Sequence, residues 1–181
     1  MKRQAQMIIV CEDSQHEAFA RRLFDKVGWH KRKVRVVKAP KARGSGSQFV
    51  LTRFVQEPIV YRANRHRVDI RLVIIIDGDA KGTDEIRSGL DQLCVAAGVD
   101  PRKDDEKVAI FIPTWRIETW LHYLRGNEVD EMKKDYPRLL HAKECRDQVD
   151  VLHKMCQKQT LTQPAPNSLV EACVEYRTRL F

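Results

Sequence analysis

Four short runs rich in β-branched and apolar residues, each separated from the next by a helix-length segment, most constrain what this chain can become. They are "MIIVC" (7–11), "KVRVVKA" (33–39), "IRLVIIID" (70–77) and "KVAIFIP" (107–113). Runs of this length and composition read as buried strands. Strands joined through helical crossovers pair in parallel and need helices on both faces to cover them. The expected fold is therefore α/β: a mainly parallel four-stranded sheet with helices on both faces, followed by a helical C-terminal third. The α/β part is expected to span 1–125, with 126–181 a helical extension packed on it as one structural unit.

The segments between the runs carry helical marks. After the first run, Ser14 and Glu17 have the spacing of a capping box, Phe19, Ala20, Leu23, Phe24 and Val27 share a face, and Gly28 ends the pattern. "ARGSGSQ" reads as a loop, and the helical pattern from Phe49 to Ala63 contains Pro58, which predicts a kink or break. Thr83 is placed to cap a helix that ends near Gly98, with Asp84 and Glu85 in its first turn. Ile117, Trp120, Leu121 and Leu124 form an apolar stripe after the fourth run.

In open parallel sheets, ligands bind at the carboxyl ends of the strands. There the first run delivers Glu12, and the third runs into "IDGDAKG", which sets Asp77 and Asp79 one residue apart. If the first and third strands are neighbours, three carboxylates converge. Such a cluster is how proteins hold Mg²⁺ (or Mn²⁺), with water and substrate phosphates completing the octahedron. Asp-Gly-Asp is also an ordinary turn sequence, and Glu12 alone could be a surface residue. Glu118 follows the fourth strand closely enough to face the same edge, and His16 and Lys81 are local candidates for contact with phosphate or metal-bound water.

"MIIVCEDSQHEAF" followed by the Asp-x-Asp of "LVIIIDGDAKG" resembles the TOPRIM fold of topoisomerases, bacterial primases, small RNA-maturing nucleases and OLD-type nucleases. "IFIPTWRIETWLHYL" is similar to a segment of small stand-alone TOPRIM-like proteins from bacterial defence or mobile-element loci. The resemblance covers roughly the first two-thirds of the chain. It implies that Glu12, Asp77 and Asp79 bind a divalent metal, that Glu118 contributes to catalysis, and that Glu12 acts as a general base. OLD-type members commonly place a second acidic residue one helical turn after the first glutamate. His16 stands at that position here, which weighs against a full two-metal site.

Charge points to the partner. The chain carries 33 Lys and Arg against 25 Asp and Glu, a formal net charge of +8, which favours an anionic ligand such as DNA or RNA. Between Asp25 and Glu57 there is no acidic residue. Lys31, Arg32, Lys33, Lys38, Lys41 and Arg43 lie in that interval, Arg65 in a second basic cluster before the third strand, and Lys81 beside the aspartates. These are the candidate nucleic-acid contacts, although strand edges and helix faces also carry solvated Lys and Arg. No apolar stretch is long enough for a membrane span, and carboxylates interrupt the N-terminal run before a signal-peptide core could form. Five cysteines without close pairs suggest a reduced, cytoplasmic protein.

The expected function is a metal-dependent nuclease, with a place in anti-phage defence implied by the resemblance. One alternative is a non-catalytic subunit that binds nucleic acid or a partner and works with an ATPase. Another is a primase-like nucleotidyl transferase. His141, Cys145, His153 and Cys156 do not make a zinc site if they share one helix, because ~15 residues at ~1.5 Å rise separate its ends by ~22 Å.

Overall fold

A computed structural model of the chain describes residues 5–40, 45–158 and 160–181. Strands β1 (Ala5–Cys11), β2 (Val34–Lys38), β3 (Asp69–Ile75) and β4 (Val108–Phe111) form one sheet in the order β2-β1-β3-β4. Every pairing is parallel, with Cys11 opposite both Lys38 and Ile75, and Ile75 opposite Phe111. The four carboxyl ends therefore line up along one edge.

The period of two in the strands divides the core. Met7, Ile9, Cys11, Val73, Ile75, Ala109 and Phe111 face one layer, built from α1 (Ser14–Lys26), α4 (Ile117–Leu124), α5 (Arg146–Lys158) and α6 (Asn167–Leu180). Ile8, Val10, Leu72, Ile74, Val108 and Ile110 face the other, built from α2 (Gly46–Asn64) and α3 (Gly82–Ala96). Both faces of the central strands are apolar because both are covered.

The C-terminal helices share the core of the first layer, where Cys145, Val149, Leu152, Leu169 and Leu180 join Phe19 and Trp120. Helix α6 also closes the β4 edge. Glu175 accepts the Ile110 backbone N–H at 3.1 Å and is gripped bidentately by Arg102. A sheet edge that would otherwise present free backbone groups is thereby sealed. None of the described helices is long and apolar enough to cross a membrane.

Several local expectations change. Asp13, not Ser14, caps α1, accepting the N–H groups of Gln15 and His16 at 2.9 Å each. Glu17 is free of the cap and pairs with Arg21 and Lys38 instead. Thr83 caps nothing; its hydroxyl donates to Glu171 on α6 at 3.1 Å. The last residues of "ARGSGSQ" belong to α2, which begins at Gly46 with Ser45 as its cap. That helix continues through Pro58, because Val50, Phe54, Pro58 and Tyr61 are buried and packing outweighs the ~3 kcal/mol a proline costs.

Candidate active site at the carboxyl edge

Glu12 follows β1 directly, and Asp77 lies two residues beyond β3, its partner in the sheet. The two meet: the Asp77 backbone N–H donates to Glu12 Oε1 at 2.7 Å. Burial, reinforced by the charge of Asp77, pushes the Glu12 carboxyl up to about 7. The cause is a half-buried carboxylate beside a second one, with too little positive charge to compensate both.

His16 is the residue that the sequence reading undervalued. It is not a surface group. The Asp13 cap starts α1 so that His16 falls one turn before Phe19 and Ala20, on the face that enters the core, and it is fully buried. Its Nε2 stands 3.0 Å from Asp77 Oδ1. Burial alone would lower its pKa, but the hydrogen bond and charge of Asp77 outweigh that and hold the imidazole at about 8. The signal was present in the i, i+3, i+4 spacing of His16, Phe19 and Ala20.

Asp79 is fixed by its backbone. It adopts a left-handed conformation, φ 46°, and exchanges two backbone hydrogen bonds with Trp115, itself at φ 60°. Gly78 between the aspartates packs against the chain after β4: a Cβ there would lie 3.1 Å from the Pro113 carbonyl oxygen. Two non-glycine residues in left-handed geometry, locked to one another, tie the loops after β3 and β4 together. Trp115 is held in turn by its indole N–H donating to the Glu131 carbonyl at 3.0 Å. The Glu131 carboxylate accepts from Thr114, Asn167 and Ser168, linking this loop to the start of α6.

Glu118 sits in the first turn of α4, nearly buried, with the Arg138 guanidinium 3.5 Å from its carboxylate. Burial raises its pKa; Arg138 opposes the shift, and Asp77 and Asp13 add to it. Glu118 therefore lies within electrostatic reach of the same edge.

Gly46 had no role in the sequence reading. It opens α2 directly against Glu12, and a Cβ there would come within 2.9 Å of Glu12 Cβ and 3.1 Å of Glu12 Oε2. The space beside the glutamate exists because this residue is glycine.

Among the described residues, no three His, Cys, Asp or Glu side chains are gathered closely enough to enclose a metal ion as they stand. The donor chemistry nevertheless suits a hard cation. Glu12 and Asp77 each commit one carboxylate oxygen to the protein, and Glu12 Oε2, Asp77 Oδ2 and the Asp79 carboxylate accept no hydrogen bond among the described residues. Three uncommitted carboxylate groups at one edge could hold Mg²⁺ if water and substrate oxygens completed its shell.

The basic residues divide. Lys31, Arg32 and Lys33 form an exposed 3₁₀ turn before β2, at the far end of that strand from Glu12. Lys38 ends β2 at the carboxyl edge, bound to Glu17 at 2.6 Å and Ser14 at 3.0 Å. Lys81 is exposed immediately before α3, 3.9 Å from Glu85. Arg65 pairs with Asp105 at 3.0 Å in a cavity lined by Asp69 at the start of β3, so it stands at the opposite edge of the sheet. Lys41 and Arg43 lie outside the described residues. Two other arginines of the second basic cluster are structural: Arg62 grips Glu106, and Arg71 donates to the Leu180 carbonyl and Asp69. His141, Cys145, His153 and Cys156 are not one helix: Ala142–Cys145 is a 3₁₀ turn before α5, Cys145 is buried in the core, and Cys156 Sγ faces Cys173 Sγ at 3.4 Å.

No family model matches this chain, and neither a curated protein nor a solved structure shows detectable similarity to it.

Proposed function

We propose that this protein is a metal-dependent nuclease that hydrolyses phosphodiester bonds of DNA or RNA at the carboxyl edge of its sheet. The observation that carries the reading is the direct contact between Glu12 and Asp77, two carboxylate residues from adjacent parallel strands, with Asp79 fixed one residue further on. The sequence resemblance to TOPRIM nucleases supports the same assignment, and with it a cytoplasmic role in anti-phage defence.

Glu12, Asp77 and Asp79 would hold Mg²⁺ or Mn²⁺, and the bound cation would supply Lewis-acid activation of water and of the scissile phosphate. The protein's own groups have distinct tasks. Glu12, whose second carboxylate oxygen accepts no hydrogen bond among the described residues, would take a proton from the attacking water. As the water oxygen bonds to phosphorus, the P–O bond to the leaving oxygen breaks and that oxygen picks up a proton. His16 fixes one oxygen of Asp77, and the other accepts no hydrogen bond among the described residues. Glu118, paired with Arg138 and within electrostatic reach of Asp77, would contribute to the site from the β4 side.

A second reading has its own support. Glu12 and Asp77 each already satisfy one oxygen within the protein, and no three ligands enclose a metal as they stand among the described residues. A catalytically silent subunit that engages nucleic acid alongside an ATPase would have that character.

Cleavage of labelled single- and double-stranded DNA and RNA, compared in Mg²⁺, Mn²⁺ and EDTA, separates the two. Metal-dependent cutting that Asp77→Asn and Glu12→Gln each abolish is expected. Retained nucleic-acid binding without cutting under every condition would favour the silent subunit.

A further inference from the structure

A concavity of about 770 Å³ lies not at the carboxylates but beside them. One wall is α1, the floor is Trp29 and Val34 at the start of β2, and the other wall is the 3₁₀ turn Ala142–Cys145 with the first residue of α5. Six cationic side chains line it: Arg21, Arg22, Lys31, Lys38, Lys143 and Arg146. Only Glu17 and Asp25 are anionic there.

Those six cations are not equivalent. Arg21 and Lys38 share Glu17, and Arg22 forks onto Asp150 at 3.1 and 3.0 Å. Lys31, Lys143 and Arg146 are exposed and form no ion pair among the described residues. They are the groups with charge to offer, and two of them come from the C-terminal third.

The groove has a direction. Lys31 marks one end, before β2 begins, and Lys38 and Ser14 mark the other. Lys38 lies opposite Cys11 in the sheet register, so the next residue of that neighbouring strand is Glu12. From Lys31 to Lys38 the chain spans ~20 Å, first at the rise of the 3₁₀ turn and then at strand rise. A polyanion with a charge every ~3.4 Å would lay several phosphates along that length. A compact phosphate ligand would instead require its cations to converge on one point.

We infer that this groove is the track along which a nucleic-acid backbone reaches the carboxylate edge, with Lys143 and Arg146 of the C-terminal third gripping its phosphates. The inference rests on the nuclease reading for what happens at the end of the track, but the binding itself does not. It assigns the helical C-terminal third a part in substrate binding beyond completing the core.

The test is binding of labelled oligonucleotides, single- and double-stranded, DNA and RNA, in EDTA so that nothing is cut, across a salt series. Lys143→Ala/Arg146→Ala removes two phosphate partners, and Lys143→Glu/Arg146→Glu reverses them. The neutral pair is expected to flatten the slope of log affinity against log salt by about 1.4 for single strands and about 1.8 for duplex DNA. The reversed pair should weaken binding more than tenfold at ~100 mM salt. Lys103→Ala/Lys107→Ala, an equal charge loss around the loop that leads into β4, should leave both unchanged. Both groove residues are exposed, so unchanged melting temperatures are expected and establish that the fold survives. Wild-type affinity and slope in the groove variants would overturn the track, as would no binding of any oligonucleotide by the wild type. Cutting by wild type and Asp77→Asn is scored separately in Mg²⁺, so the track can fail while the carboxylate site stands, and the reverse.

Discussion

The carboxylate of Glu12 accepts the backbone N–H of Asp77 across two adjacent parallel strands at 2.7 Å, while the Asp77 side chain takes the imidazole of His16 at 3.0 Å. A buried base, two acids and a strand pairing are thus joined in one short relay. Its charge state bears on the stability of the edge.

Stability without metal should therefore fall with rising pH. Glu12 is raised from 4.5 to about 7, and His16 from 6.5 to about 8. A group whose folded pKa is raised contributes stability that is complete below its unfolded value and lost as pH climbs through the folded one. Both act in the same direction, across the interval from about 4.5 to about 8. Thermal melts in EDTA should show decreasing stability over that interval, with the Glu12 share on the order of 2–3 kcal/mol. Glu12→Gln should remove the lower part of the decline. A flat profile in the wild type would refute it.

Removing His16 should injure the site before it injures the sheet. His16→Ala opens a cavity and strips Asp77 of its partner, with an expected loss of ~2–4 kcal/mol. His16→Gln keeps a donor within reach and should recover much of the stability and of the metal affinity. Melting and Mn²⁺ titration of the two variants test whether a donor to Asp77 restores the site. Equal loss of metal affinity in both variants would contradict that positioning role.

Gly46 should tolerate no side chain without cost to Glu12. The added methyl of Gly46→Ala would begin 2.9 Å from Glu12 Cβ. The expected result is a ~1–3 kcal/mol destabilisation together with weakened metal binding. An alanine variant identical to wild type in both would show that Glu12 is free to move aside.

Glu175 is the corresponding test of the sheet edge. It satisfies the Ile110 N–H and pairs with Arg102, and both side chains are only 11% exposed. Glu175→Ala leaves Arg102 without its partner and should cost ~3 kcal/mol, a fall in Tm of ~6–12 °C. Glu175→Gln, able to accept the Ile110 N–H still, should cost less. Melting curves of the two variants decide it.

The sheet was legible in the sequence because the strand runs are apolar on both faces and the turns between them are marked. The carboxylates were legible for the same reason: strand ends in a parallel sheet share an edge, so Glu12, Asp77 and Asp79 had few other places to go. What was misread involved choices between equals or partners far apart in sequence. Asp13 and Ser14 are adjacent good caps, and the choice between them freed Glu17 for Arg21 and Lys38. The basic cluster leading into β3 looked like a phosphate surface, yet Arg62 finds Glu106 and Arg71, within β3, finds the Leu180 carbonyl, over forty residues away in each case. His16 was read as a candidate contact for phosphate or metal-bound water, although its helical spacing put it inside.

The central claim is that Glu12, Asp77 and Asp79 together bind a divalent cation. Isothermal titration of Mn²⁺ into wild type and Asp77→Asn, at pH 7.5 and without nucleic acid, tests it most directly. The account predicts saturable binding at one site per chain in the wild type, lost or weakened at least tenfold in the variant. Absence of binding by the wild type, or equal binding by a folded Asp77→Asn, would contradict it.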